Sequence, residues 1–234
     1  MLTVGIVGAG GYLGSAVIAA CGGAADRSVV AITRENYDQK KRDEYDVLIN
    51  CAMPSARFWA KNNPQKDFVE TVQKTADLVY GWKYRKFVQV STVSARCQLD
   101  TVYGRNKAAA EALCAPGDLI VRLGAIYDQE MRKGVLIDML RGSTVFVDGA
   151  SRYCFAERGF VAQWISSNLG RSGIVEVGGR NAVSLKAVAD HIGSASTFEG
   201  ALDHQEVEAN DPAYPEAREV LRFLERWKKE FAEK

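Results

Sequence analysis

The chain has 234 residues, 47% hydrophobic and 25% charged, with a formal net charge of +1 at pH 7. This length can bury a full core, and the near-neutral charge gives no electrostatic reason to expect nucleic acid or an anionic membrane as a partner. Five scattered cysteines without a C-x-x-C pair predict reduced thiols and no metal site. With no charged leader and no apolar run as long as a membrane span, we expect a cytoplasmic protein.

A glycine-rich turn follows the first apolar run of the chain. Thr3–Val7 predicts a strand and Ser15–Cys21 a helix. Between them, Gly8, Gly11 and Gly14 are spaced three residues apart. Such a turn lets a pyrophosphate approach the backbone and the helix N-terminus closely, so we predict a dinucleotide site; a plain strand-to-helix connection is the alternative. The predicted contact residues in this turn are Gly8, Gly10, Gly11, Tyr12, Leu13 and Gly14.

Strands and helices alternate through the first two thirds of the chain, which is typical of a parallel sheet with helices on both faces. Further strands are predicted at Ser28–Thr33, Asp46–Cys51, Lys86–Val90 and Leu119–Leu123. Further helices are predicted at Gln65–Gly81, Tyr103–Leu113 and Pro215–Phe231, with a polar connection at Arg34–Asp43.

The ends of the second and third strands would lie beside a bound dinucleotide, because ligands of such sheets bind where the strand order reverses. The second strand closes on Thr33 and Arg34, where NAD enzymes often carry an acid. An arginine suits a 2′-phosphate, so we predict NADP rather than NAD; a solvated loop cation is the alternative. Small residues at Cys51 and Ala52 would let the backbone lie against the cofactor, although sheet packing also explains them.

Three residues near the end of the fourth strand form a candidate catalytic group. Tyr103 and Lys107 are four residues apart and share a helix face. Since an ammonium stabilises a phenolate, we expect the pKa of Tyr103 to lie below that of a free tyrosine. Thr92 could hydrogen-bond the substrate oxygen that receives the proton. The three suit carbonyl–alcohol interconversion with a nicotinamide cofactor, although Tyr-x3-Lys also occurs on many solvated helices.

In combination, these motifs resemble the extended branch of the short-chain dehydrogenase/reductase superfamily, which acts on nucleotide sugars. The positions similar to its cofactor turn, its catalytic Ser/Thr and its YxxxK pair are Gly8, Gly11, Gly14, Thr92, Tyr103 and Lys107. Val121–Tyr127 and Val175–Leu185 also resemble later strands of that branch. The resemblance implies a Rossmann-type α/β fold: a doubly wound parallel sheet with a small C-terminal substrate lobe. It also implies that Tyr103 protonates the substrate, Lys107 binds the nicotinamide ribose, and Thr92 orients the carbonyl.

Departures from the family pattern narrow the expected reaction. Thr92-Val93-Ser94 lacks the two acids of the dehydratases, and Ser94 stands where epimerising reductases carry a cysteine. The short connection Arg34–Asp46 resembles members that reduce a 4-keto group. We therefore expect NADPH-dependent reduction of a keto group on a nucleotide-activated sugar; an NAD-retaining epimerase and a non-catalytic dinucleotide sensor are the alternatives. Thr71 replaces a usual asparagine, which puts a local helix kink there in doubt.

The C-terminal part is expected to bind the substrate. Residues 1–127, with about 155–180 returning to them, should form the dinucleotide-binding domain, and residues 128–234 mainly the substrate lobe. Candidate substrate contacts are Ser94, Arg152 and Arg158, with solvated arginines as the alternative. Phe58 and Trp59 could line the pocket, but core packing is the preferred interpretation. By resemblance we expect a homodimer formed by the helices Gln65–Gly81 and Tyr103–Leu113.

Overall fold

The computed structural model describes residues 1–208 and 211–232, which divide into two compact units. The first unit contains residues 1–123 and 162–176. The second contains residues 124–161 and the described residues from 177 onward. The chain thus leaves the first unit, re-enters it once and leaves it again.

A six-stranded sheet forms the centre of the first unit. Its strands are β1 (Leu2–Val7), β2 (Arg27–Ile32), β3 (Glu44–Asn50), β4 (Lys83–Thr92), β5 (Leu119–Leu123) and β9 (Gly173–Val177), in the order β2-β1-β3-β4-β5-β9. β1 pairs in parallel with both β2 and β3, and β4 with both β3 and β5. Since β2 and β3 flank β1, the strand order reverses beside the end of β1. The predicted doubly wound α/β fold is confirmed.

Helices connect these strands. They are α1 (Tyr12–Gly22), α2 (Tyr37–Lys40), α3 (Arg57–Asn62), α4 (Pro64–Phe68), α5 (Lys74–Gly81), α6 (Ser94–Cys97), α7 (Val102–Glu111) and α9 (Arg158–Ser167), the last crossing the division between the units. A π-helical turn, Val69–Gln73, joins α4 to α5. Thr71 lies inside this turn, so the helix is locally irregular with threonine at that position.

The second unit has its own hydrophobic core. Its elements are β6 (Ile126–Tyr127), α8 (Val135–Arg141), β7 (Arg152–Tyr153), β8 (Ala156–Glu157), β10 (Val183–Ser184), α10 (Leu185–His191) and α11 (Glu219–Ala232). The apolar face of α11 packs into this core through Val220, Leu224 and Trp227, all nearly inaccessible to solvent. None of the described helices is long and apolar enough to cross a membrane.

Two differences from the sequence prediction concern elements of the first unit. β4 begins at Lys83 rather than Lys86, because its polar first residues pair with Glu44 and Tyr45 at the start of β3. The segment after β3 contains the unpredicted helix α3, in which the side chain of Phe58 is 79% exposed. The interpretation of Phe58 as a core residue is therefore wrong.

Candidate active site

The glycine turn connects β1 to α1 at the point where the strand order reverses. Gly8 has a φ of +82°, and a Cβ atom there would lie 2.8 Å from the backbone nitrogen of Ala52. A Cβ atom on Gly14 would lie 2.2 Å from the carbonyl oxygen of Gly8. Backbone hydrogen bonds from Gly8 to Ile32 (3.0 Å) and from Gly11 to Gly8 (2.9 Å) hold the turn. Gly8 and Gly14 are therefore required by the packing of the chain itself.

Gly10 is different, because a Cβ atom added there would meet no atom within 4 Å. No side chain caps the N-terminus of α1, which starts at Tyr12 after Gly11. Tyr12 and Leu13 are partly buried in the first turn of α1. This combination of an open backbone surface and unshielded N–H groups fits a dinucleotide pyrophosphate.

The ends of β2 and β3 adjoin the same turn. The Asn36 side chain accepts a 2.8 Å hydrogen bond from the Thr33 nitrogen and donates one of 3.0 Å to the Ala31 carbonyl, which fixes the loop in which Arg34 is exposed. The nitrogen of Cys51 donates a 2.9 Å hydrogen bond to the carbonyl of Val7. Of the predicted cofactor residues, the structure thus places Cys51 and Ala52 against the glycine turn. Burial raises the pKa of the Cys51 thiol to about 12, so this cysteine stays protonated.

The three predicted catalytic residues meet at the carboxyl end of β4. Tyr103 and Lys107 are buried on α7, with 7% and 3% of their surfaces exposed. The Lys107 Nζ lies 5.1 Å from the centroid of the Tyr103 ring and donates a 2.7 Å hydrogen bond to the carbonyl of Pro54. Thr92 ends β4, and its hydroxyl acts on the Tyr103 phenol by lowering its pKa. Ser94 donates a 3.2 Å backbone hydrogen bond to the Thr92 Oγ1 and is itself 1% exposed.

Local sequence places α7 against this strand end. Thr101 caps the helix, since its Oγ1 accepts a 3.0 Å hydrogen bond from the nitrogen of Gly104. A Cβ atom on Gly104 would lie 2.0 Å from the carbonyl oxygen of Gln98, so only glycine allows this close approach. At the other end, Glu111 accepts a 2.6 Å hydrogen bond from the Ser91 hydroxyl and pairs with Arg122 at 2.6 Å.

Burial dominates the electrostatics of the site. It raises the pKa of Tyr103 to about 12, with a contribution from Asp67, while Arg57 and the Thr92 hydroxyl act in the opposite direction. The prediction that the pKa of Tyr103 is lowered is therefore wrong for this structure, because desolvation of the phenolate outweighs the nearby cations. Burial also lowers the pKa of Lys107 to about 7, against the opposing effects of Asp67 and Glu111.

The predicted substrate arginines lie in the second unit, and each is engaged by acids. Arg152 is half exposed and pairs with Glu206 at 3.2 Å. Arg158 is mostly buried and pairs with Asp128 and, at 2.7 Å, with Glu130. It lines a surface cleft of about 460 Å³ together with Phe223, Trp227 and other residues of the second unit. Because carboxylates already compensate the charge of Arg158, this arrangement weighs against a role in binding a substrate diphosphate.

Sequence reasoning missed two charged residues of the site, Arg57 and Asp67. Asp67, Thr71 and Thr75 are each fully buried and are spaced four residues apart, so they form a buried polar stripe along one helical face. That spacing was visible in the sequence and could have indicated Asp67. The start of α3 at Arg57 had no comparable signal.

Within residues 1–208 and 211–232, no group of three or more His, Cys, Asp or Glu side chains is placed to hold a metal ion.

No protein-family model matches the sequence, and no curated protein sequence matches it. Solved structures do match. A dTDP-4-dehydrorhamnose reductase from Clostridium acetobutylicum is similar with a TM-score of 0.76 and 15% identity, over 97% of this chain and 100% of that chain. RMD from Pseudomonas aeruginosa, complexed with NADPH, is similar with a TM-score of 0.72 and 16% identity, over 98% of this chain and 100% of that chain. A UDP-glucuronic acid 4-epimerase from Bacillus cereus, in complex with NAD, is similar with a TM-score of 0.74 and 16% identity, over 98% of this chain and 97% of that chain.

These likenesses establish the fold. The chain shares the Rossmann-type α/β fold of these three enzymes, and this is the fold class that the sequence predicted. Both reductases and epimerases share it, so the reaction has to be argued from the site.

Proposed function

We propose that the protein is an NADPH-dependent oxidoreductase that reduces a keto group on a nucleotide-activated sugar. One observation carries the proposal: Thr92, Tyr103 and Lys107 converge at the end of β4, in the same unit as a glycine turn that fits a pyrophosphate. The similarity to enzymes named for nucleotide-sugar substrates supports the choice of substrate class.

Each member of the group has a chemical role in this proposal. A bound nicotinamide supplies the hydride chemistry. Because the pKa of Tyr103 is about 12, its phenol keeps its proton at neutral pH and can donate it to a keto oxygen, which is the direction of reduction. The Thr92 hydroxyl, at the end of β4, orients the same oxygen. Lys107 supplies a buried ammonium under the tyrosine ring, available to the ribose of the cofactor.

The choice of NADP rests on Arg34. This side chain is exposed in the loop after β2, which Asn36 holds in place, and a guanidinium is suited to a 2′-phosphate. The backbone of the glycine turn, with Cys51 and Ala52, would hold the rest of the dinucleotide. Ser94 of the first unit is among the proposed substrate contacts. A cytoplasmic location remains a prediction.

Titration of the purified protein with NADPH and with NADH, followed by nicotinamide fluorescence, tests this cofactor choice. We expect NADPH to bind more tightly and the protein to purify without cofactor. An epimerase is the second candidate, because one similar structure is an epimerase that holds NAD. Tightly retained NAD after purification would favour the epimerase, and failure to bind either dinucleotide would contradict both functions.

Replacement of Tyr103 by phenylalanine tests the proposed chemistry. The variant keeps the buried ring but loses the proton donor, so reduction of a 4-keto nucleotide sugar should fall by about 10²- to 10⁴-fold with cofactor affinity retained. Tyr84→Phe is a matched control, since the Tyr84 hydroxyl bonds the Val79 carbonyl outside the site. Full reductase activity in Tyr103→Phe would show that the assignment is wrong.

A homodimer is proposed as the functional form. Phe68 and Val69 lie on the helical stretch expected to pair across a two-fold axis, where they present adjacent apolar side chains that are 42% and 38% exposed. Light scattering should give the mass of a dimer for the wild type and a smaller mass for Phe68→Glu. A wild-type monomer at working concentration would contradict the proposal.

A further inference from the structure

One buried carboxyl of the site has no role in the reaction proposed above. Asp67, in α4, is fully buried, and its Oδ2 accepts a 2.7 Å hydrogen bond from the Asn106 Nδ2 of α7. Its other oxygen, Oδ1, is inaccessible to solvent and has no hydrogen-bond partner among the described residues. A buried carboxyl with an unpaired oxygen costs free energy, so its presence needs a compensating reason.

The groups around Asp67 provide that reason. Asn106 immediately precedes Lys107, so its hydrogen bond fixes α4 against the turn of α7 that carries the ammonium. Through this contact Asp67 lies beside α7, and it acts to raise the pKa of both Lys107 and Tyr103. Burial alone pushes Lys107 in the other direction, toward the neutral amine.

We propose that Asp67 is a positioning residue of the candidate active site, whose buried carboxylate favours the ammonium form of Lys107 beneath the Tyr103 ring. The inference deepens the proposed function and rests on it, because the charged form of Lys107 donates the stronger hydrogen bonds to a cofactor ribose. Asp67 acts through Lys107 and touches neither substrate nor cofactor in this account.

The other charged groups near α7 do not supply this charge. Glu111, on α7 itself, also raises the pKa of Lys107, but its carboxylate is bound by Arg122 and by the Ser91 hydroxyl. Arg57 of α3 is a cation and acts on Tyr103. The charged groups on elements packed against α7 that are exposed or paired elsewhere are Lys61, Lys66, Glu70 with Lys74, and Arg96 with Glu176.

The test measures the titration of Lys107 directly, without substrate or cofactor. Protein labelled with lysine carrying ¹³C at Cε is titrated by NMR, and the Lys107 signal is assigned by its loss in Lys107→Met. Asp67→Asn, which preserves shape and removes charge, should lower the pKa of Lys107 by about one to three pH units. Asp67→Ser provides the same comparison if the asparagine variant folds poorly.

Asp77→Asn is the matched control. It removes one carboxylate from α5 on the same helical stretch, where Asp77 pairs with Lys41 and Tyr37 away from the site, so Lys107 should titrate as in the wild type. An unchanged pKa of Lys107 in both Asp67 variants would overturn the inference.

A second readout separates this inference from the proposed function. If charged Lys107 supports reduction, activity is lost as pH rises through its pKa, so the basic limb of the kcat profile should move to lower pH in Asp67→Asn by the same amount. A lowered pKa of Lys107 with an unmoved pH profile would support the role of Asp67 and contradict the proposed role of Lys107 in reduction.

Discussion

At the scale of single residues, the glycine turn separates two requirements that look alike in the sequence. Gly8 and Gly14 are glycines because a Cβ atom would collide with backbone atoms of the chain. Gly10 faces open space, so the chain itself gives no reason for glycine there. The sequence predicted all three as cofactor contacts, and it could not distinguish them because it carries no information about what lies opposite each Cα.

This difference gives a paired prediction. Gly14→Ala should destabilise the protein by about 1–3 kcal/mol, because the methyl group must displace the Gly8 carbonyl. Gly10→Ala should leave the free energy of unfolding unchanged and weaken dinucleotide binding by about tenfold or more, because the methyl group occupies the space of a close ligand. Urea unfolding and nicotinamide fluorescence measure the two effects. Unimpaired dinucleotide binding by Gly10→Ala would contradict the assignment of the turn.

At the scale of elements, a buried ion-pair network anchors the helix that carries the catalytic candidates. Arg122 of β5 pairs with Glu111 at the end of α7 at 2.6 Å and lies 3.9 Å from Glu176 of β9. Both carboxylates are less than a tenth exposed. The position of α7, and therefore of Tyr103 and Lys107, depends on charges brought together from three separate elements.

Replacement of Arg122 by methionine should therefore be strongly destabilising. It leaves Glu111 buried without its cation, and breaking one half of a buried pair typically costs about 3–5 kcal/mol. Arg85→Met is the control: Arg85 is 86% exposed and pairs with Asp46 at 3.5 Å, so its loss should cost less than about 1 kcal/mol. Equal urea midpoints for the two variants would show that the network contributes no more than a surface ion pair.

Elements with a regular pattern were predicted well from the sequence, and those fixed by tertiary contacts were not. β5 matches its predicted bounds, and α7 begins within one residue of its prediction, because an apolar run and an alanine-rich segment are local signals. The π-helical turn and α3 were missed, since both depend on packing against α7. The pKa of Tyr103 was predicted in the wrong direction, because the sequence shows which charges are close in the chain but not how deeply they are buried.

At the scale of the whole molecule, the two units are built from interleaved stretches of chain. The sequence predicted a later segment returning to the first domain from its resemblance to a family, and no local pattern could have located the crossings. The structure places them at residues 123 to 124, 161 to 162 and 176 to 177. Because β9 belongs to the central sheet, one strand of the first unit follows residues of the second unit in the sequence.

This interleaving has a consequence during synthesis on the ribosome. When Leu123 emerges, the nascent chain carries five of the six strands, and the free edge of β5 awaits β9, which begins at Gly173. At about 5–20 residues per second, that edge stays open for several seconds while part of the second unit is translated. An open strand edge is a template for pairing with other chains. Within this interval the nascent protein is therefore exposed to misassembly at the β5 edge.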